Sequence, residues 1–149
     1  MAFTSFLLPR TIDNTTHGPR FAVWIFTLLA IVSAVRSCIH IFSPDGGASS
    51  IAGMDLSVPG ASGIVFSFAL WGSSQLLFAF VQLAAAFRYR SLIPVLWVLF
   101  SVEAALRMLV ARMKPVTFSH MPPGGYANWI GLPLGLIMVL LMWRTSERR

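Results

Sequence analysis

Four long apolar runs alternate with shorter polar segments along the chain. The runs lie at about residues 21–42, 62–87, 92–113 and 126–143. A helix rises 1.5 Å per residue, so about 20 residues cross a hydrocarbon core of ~30 Å. Each run is close to that length. We therefore predict an all-α, four-transmembrane-helix bundle that forms one integral membrane domain over residues 1–149.

The polar segments carry the residues that end helices. Pro9, Gly18 and Pro19 interrupt the polar start, and Ser43 to Gly46 follow the first run. The first run is too long for the apolar core of a signal peptide and contains Arg36, so we expect it to be retained. Pro122 to Gly125 form a turn before the fourth run.

The basic residues orient the bundle. Seven arginines fall in the segments that are cytoplasmic if both termini are cytoplasmic, whereas only Arg112 and Lys114 fall on the other side. Cytoplasmic loops carry the excess of Lys and Arg, so we expect both termini inside and a location in the cytoplasmic (inner) membrane. The seven are Arg10, Arg20, Arg88, Arg90, Arg144, Arg148 and Arg149.

Composition supports a membrane protein. Hydrophobic residues make up 56% of the chain and charged residues 11%, against about 25% charged in soluble domains. The net charge of +6 comes from bases at the ends of apolar runs, which indicates helix anchors and no nucleic-acid partner. The single cysteine, Cys38, excludes an intramolecular disulfide, and we predict no metal site.

Charged residues inside the third run are the main functional signal. Glu103 and Arg107 lie four residues apart, on one helix face. Charges at bilayer depth are expensive and usually face partners inside a protein. In the alternative interpretation, Glu103 and Arg107 form an ion pair within their own helix whose only role is to let that helix insert into the membrane.

Polar residues of the other runs fall at similar depth. Arg36 lies about as far from the outer end of its run as Arg107, with His40 shallower, and the fourth run enters beside them. We predict a pocket in the outer half of the bundle with a rim above it. The candidate ligand- or anion-binding residues are Arg36, His40, Gln75, Glu103, Arg107 and Asn128, and the rim residues are Arg112, Lys114 and His120.

This cluster has a surplus of positive charge, because Glu103 can neutralise only one of the two arginines. An arginine fork suits a phosphate or a carboxylate. The partner of Arg36 is therefore a lipid phosphate, a carboxylate ligand, or Asp55 folding down from the first loop. In the simpler alternatives, Arg36 snorkels to the surface and His40 makes a hydrogen bond at its helix end.

Other polar and small residues predict helix packing. Gln75 and Gln82 share a face and are expected to bond between helices, and the small residues from Gly72 to Ser74 allow close approach. Gly131 and Gly135 form a G-x-x-x-G, with Pro133 between them, for packing or for a dimer. We expect most of the five tryptophans to form a membrane belt or lipid-facing surface. They are Trp24, Trp71, Trp97, Trp129 and Trp143.

Several segments resemble the DoxX-like group of small four-helix bacterial membrane proteins, which includes a related family of unknown function. The similar pieces are the turn from Arg88 to Pro94, Glu103 with Arg107, Lys114-Pro115, and Pro123-Gly124 leading to Asn128 and Pro133. The resemblance implies a four-helix bundle, mostly of unassigned role. Named relatives are linked to quinone-coupled sulfur oxidation and redox-stress complexes.

Three functions follow from these residues. The first is a non-catalytic accessory or lipid- or ligand-binding subunit, with an anionic lipid, a quinone, a partner subunit or a second copy as partner. The second is a quinone-linked redox subunit or enzyme in which Glu103 or His40 handles protons. The third is a small oligomeric transporter, although transporters are usually larger. Bis-histidine haem is disfavoured, because His40 is the one histidine at membrane depth.

Overall fold

The computed structural model describes residues 3–147, and their regular structure is entirely helical. Four of the helices are long and apolar enough to cross a membrane, which confirms the predicted all-α four-helix class. Arg148 and Arg149 lie outside the described residues, and the cytoplasmic position of the termini stays a prediction. The elements are α1 (Phe3–Leu7), α2 (Arg20–Phe42), α3 (Ala61–Arg88), a 3-10 turn (Arg90–Leu92), α4 (Ile93–Met113) and α5 (Pro123–Glu147).

Two features of the observed helices differ from the sequence prediction. Helix α5 begins at Pro123, within the segment interpreted as a turn, because proline is well suited to the first turn of a helix. The polar start contains the short helix α1, whose Phe6 is fully buried against the bundle. A five-residue helix is not stable alone, so this burial accounts for it.

The four long helices pack as two pairs, α2 with α3 and α4 with α5, and close backbone approaches between the pairs are few. Glycines allow both pairings. A Cβ at Gly72 of α3 would lie 2.7 Å from the Cβ of His40 on α2, and a Cβ at Gly131 would lie 3.1 Å from Phe100 on α4. Gly135 faces Ser101 of α4 in the same way. Helices α3 and α4, although joined by the shortest connection, are not a tightly packed pair.

The two ends of the bundle are packed differently. The terminal end, which carries α1, the last turn of α5 and the turn at 89–92, holds the main hydrophobic cluster. There Trp97 is fully buried, with its ring centroid 5.5 Å from that of Phe26. The prediction that Trp97 faces lipid is therefore wrong. The loop end, which carries the loops 43–60 and 114–122, contains the predicted site residues.

Candidate functional site

The predicted ion pair lies at the centre of the site. Arg107 Nη2 donates to Glu103 Oε1 at 2.5 Å along α4, as their spacing of four residues allows. Gln75 Nε2 of α3 donates to the same oxygen at 2.6 Å, which links the two helix pairs. The side chains of Arg107 and Glu103 remain 24% and 29% exposed. The pair is therefore not sealed within the bundle.

The half-buried ring of Trp71 brings the two predicted arginines together. The guanidinium carbons of Arg36 and Arg107 each lie 5.0 Å from its centroid, within the range of a cation–π contact. The two guanidinium carbons therefore lie at most about 10 Å apart, since each is 5.0 Å from the same ring centroid. The belt interpretation of Trp71 is wrong, because its ring is occupied by charged groups of α2 and α4.

Arg36 has no carboxylate partner in the described part of the chain, where Arg107–Glu103 is the single ion pair. Asp55 is exposed and accepts hydrogen bonds from the hydroxyl and backbone N–H of Ser57, which lower the pKa of its carboxyl. The prediction that Asp55 folds down onto Arg36 is therefore wrong. The local charge is two arginines against one glutamate.

The N-terminal end of α5 lies beside Arg36. A Cβ at Gly124 would lie 3.8 Å from Arg36 Nη1. The positive end of the α5 dipole favours an anion there, although Pro123 has no N–H and the N–H of Gly125 already donates to the carbonyl of Pro122 at 2.8 Å. Arg36 and this helix end therefore both contribute positive charge to the same space.

His40 has a structural position. Its side chain is buried, and Nδ1 lies 2.7 Å from the carbonyl oxygen of Gly46. A carbonyl only accepts, so Nδ1 carries the proton. The imidazole also lies 5.0 Å from the Trp71 ring and 5.6 Å from Phe68 between centroids. His40 thus supports Trp71 and anchors the first loop, in agreement with the predicted helix-end hydrogen bond.

Three cavities meet at this cluster, and Arg107 lines all of them. The outer cavity, of about 660 Å³, lies under the loops and is also lined by Arg36, His40, Trp71, His120 and Asn128. The side cavity, of about 620 Å³, is also lined by Trp71, Glu103, Leu106, Lys114 and Phe118. The inner slot, of about 240 Å³, runs between the helix pairs and is lined by both arginines, Ser33, Glu103, Gln75, Gln82, Asn128 and apolar side chains.

The three predicted rim residues do not lie around one cavity. His120 lines the outer cavity and Lys114 the side cavity, whereas Arg112 is exposed and lines none of the three. Asn128 lines the outer cavity and the inner slot. The predicted residues other than Arg112 therefore line three neighbouring cavities that share Arg107.

The two loops at this end join over the outer cavity. The carbonyl oxygen of Gly53 accepts from the backbone N–H of Ser119 at 3.0 Å and from its hydroxyl at 3.1 Å. The first loop is held by Asp45, whose carboxylate accepts from the Ser50 and Gly47 N–H groups and the Ser43 hydroxyl. These bonds, the one from Ser50 foremost, hold the pKa of Asp45 well below its usual range.

No known protein family, curated protein or solved structure matches the chain. Its helices define the class: a small multi-pass membrane protein. Within residues 3–147, no three or more His, Cys, Asp or Glu side chains gather where they could hold a metal ion.

Trp71 was missed as a site residue, although the sequence carried a signal. Trp71, Gln75 and Gln82 occur at spacings of four and seven, which places them on one face of α3. Gln82 also departs from its predicted role. Its side chain is buried and lines the inner slot, but it has no interhelical hydrogen bond to any described residue.

Proposed function

We propose that this membrane protein is a non-catalytic ligand-binding or accessory subunit that holds an anionic head group at Arg36 in the loop-end half of the bundle. The observation that carries the proposal is the guanidinium of Arg36, which lines two cavities and forms no ion pair with a carboxylate of residues 3–147. An isolated charge in a partly desolvated site is costly, so an anion that reaches it gains a strong interaction.

The surroundings of Arg36 favour an oxyanion. Arg107 lies within reach of the same space, and the positive end of the α5 dipole lies beside it. A phosphate or a carboxylate has several acceptor oxygens and can bond both guanidinium groups. The cavity walls are otherwise largely apolar, as expected for the body of a lipid or lipid-like molecule.

Replacement of Arg36 tests this function. Thermal unfolding is measured in mixed micelles that contain phosphatidylglycerol or phosphatidylcholine. We expect phosphatidylglycerol to raise the melting temperature of the parent by about 5–10 °C at roughly 100 times Kd, and to leave Arg36→Leu unchanged. Without anionic lipid, Arg36→Leu should be at least as stable as the parent, because an uncompensated charge has been removed.

Arg112→Leu is the matched control, because Arg112 is exposed and lines none of the three cavities. This variant should keep the full response to phosphatidylglycerol. The proposal fails if Arg36→Leu responds like the parent, or if Arg112→Leu loses as much of the response.

A second candidate is a quinone-linked redox role for Glu103. It is supported by the position of Glu103, whose carboxylate lines the side cavity and the inner slot. His40 is less suited to proton transfer, because its Nδ1 is bonded to Gly46. A neutral quinone would not depend on Arg36. Stabilisation by decylubiquinone that Glu103→Gln abolishes and Arg36→Leu retains would favour this candidate.

We further infer a location in the cytoplasmic (inner) membrane with both termini inside. The support is the arginine distribution, and the site would then open toward the outer leaflet. Kinship with the DoxX-like group and association with partner subunits stay predictions. Copurification from mild detergent with a redox subunit would support them.

A further inference from the structure

Gln82 is a buried polar side chain without a partner. It is 6% exposed, and its amide has no hydrogen bond to any of residues 3–147. Gln75, on the same face of α3, instead donates to Glu103. The fully enclosed side-chain N and O atoms without a hydrogen-bond partner are, within residues 3–147, Trp97 Nε1 and Trp143 Nε1, so the amide of Gln82 is still accessible from the space beside it. Because Gln82 lines the inner slot, a molecule in that slot would supply the missing partner.

The inner slot connects Gln82 with the charged cluster. One end is lined by Arg36, Glu103 and Arg107. Gln75 and Gln82 are seven residues apart, which corresponds to about 10 Å along a helix. The remaining walls come from all four long helices and, apart from Ser33 and Asn128, are apolar; they include Leu29, Phe78, Phe100 and Leu134.

We propose that the ligand is an amphiphile with an oxyanion head and a second polar group, a hydroxyl or a carbonyl, about 10 Å along its apolar body. The head binds Arg36 and Arg107, the body lies in the inner slot, and the second polar group bonds the amide of Gln82. This assignment rests on the proposed function and specifies the chemical class of its ligand.

A plain alkyl tail is the poorer occupant of this slot. It would cover the amide of Gln82 without bonding it and would exclude water that could have done so. A hydroxyl can donate to the amide oxygen or accept from its nitrogen. The inner slot therefore favours a ligand with a polar group beside Gln82 over one with a plain alkyl tail, although the plain tail is the more apolar of the two.

The test compares matched ligands on the full chain in phosphatidylcholine nanodiscs. Equilibrium dialysis measures Kd for octanoate against 8-hydroxyoctanoate and for octyl phosphate against 8-hydroxyoctyl phosphate. The tighter pair identifies the head as carboxylate or phosphate. Within that pair we expect the hydroxylated member to bind about three- to tenfold more tightly, the effect of one added hydrogen bond.

Two variants separate the two ends of the ligand. Gln82→Leu should remove or reverse the preference for the hydroxylated member while the plain acid still binds. Arg36→Leu should weaken both members equally. The inference is overturned if the parent shows no hydroxyl preference, or if Gln82→Leu retains it; water is then the partner of Gln82, and the anion site still stands. If neither pair binds the parent, the proposed function fails together with the inference.

Discussion

Trp71 organises the loop-end half of the molecule at the residue scale. Its ring contacts Arg36 from α2 and Arg107 from α4 and lies beside His40. Cation–π contacts contribute about 0.5–1 kcal/mol when exposed and about 2 kcal/mol when desolvated. That is too little to neutralise two guanidinium groups, so Trp71 positions the arginines and leaves their charge available to an anion.

Glu103 sets how much of that charge is available. Glu103→Gln keeps the size of the side chain and an acceptor for Gln75, but releases Arg107. We expect affinity for the anionic ligand to rise about three- to tenfold. The free energy of unfolding of the ligand-free protein should fall by about 1–3 kcal/mol. Ligand titration and chemical unfolding in detergent measure the two effects.

Gln75→Leu provides the control, since it removes a hydrogen bond to Glu103 without changing any charge. It should lower stability with no gain in anion affinity. Unchanged anion affinity in Glu103→Gln would show that Arg107 does not take part in binding.

Close helix pairing determines where the site lies at the scale of elements. Helices α2 and α3 touch through Gly72, and α4 and α5 through Gly131 and Gly135. Each pair is therefore tight, and the space left between them becomes the inner slot. Gln75 reaches across that space to Glu103, a polar contact where the backbones are too far apart for close packing.

Alanine at Gly72 tests this pairing. Its Cβ would lie 2.7 Å from the Cβ of His40 and 3.2 Å from the carbonyl oxygen of Ser37, so α2 and α3 must separate. We expect a loss of about 1–3 kcal/mol of unfolding free energy, measured in detergent. Gly63→Ala, on the same helix with nothing within 4 Å, should change stability by less than about 1 kcal/mol, in the stabilising direction. Equal effects of the two substitutions would contradict the close approach.

The two ends of the whole molecule are packed differently. The terminal end holds the hydrophobic cluster and the N-terminal segment, where Ser91 Oγ donates to the carbonyl of Asp13 and accepts from its N–H. A cavity of about 550 Å³ at that end is lined by Arg20 and Arg90 and contains no acidic side chain. The loop end has three cavities that share Arg107, beneath two joined loops, and there both arginines of the candidate site lie beside Glu103.

Cysteine labelling tests the orientation of the whole molecule. In a Cys38→Ser background, Val58→Cys in the first loop and Thr11→Cys in the N-terminal segment are each treated with a membrane-impermeant maleimide. We expect Val58→Cys to react in intact cells and Thr11→Cys only after permeabilisation. Both positions are exposed, so access depends on the side of the membrane. The reverse pattern would place the site in the inner leaflet.

The sequence predicted which helix residues belong to the site better than it predicted which side chains contact one another there. Gln75, Glu103 and Arg107 form one hydrogen-bonded group, as their types and depths indicated. Asp55 was one of three partners considered for Arg36, and the structure rejects it because its carboxylate is bonded locally to Ser57. Trp71 was assigned to the lipid surface, since tryptophan is common there and its distance to two arginines on other helices is not a local property.

The sequence by itself determined the four membrane helices and the presence of charged residues at membrane depth in one half of them, because run length, composition and helical rise are local properties. Only the tertiary structure decided which helices pair and where cavities remain, because these depend on contacts between residues distant in the chain. It also decided that Arg36 lacks a carboxylate partner and that Gln82 faces the inner slot without one among residues 3–147. Whether Arg36 and Gln82 find partners depends on distances between different helices, and the residue pattern along one helix does not give those distances.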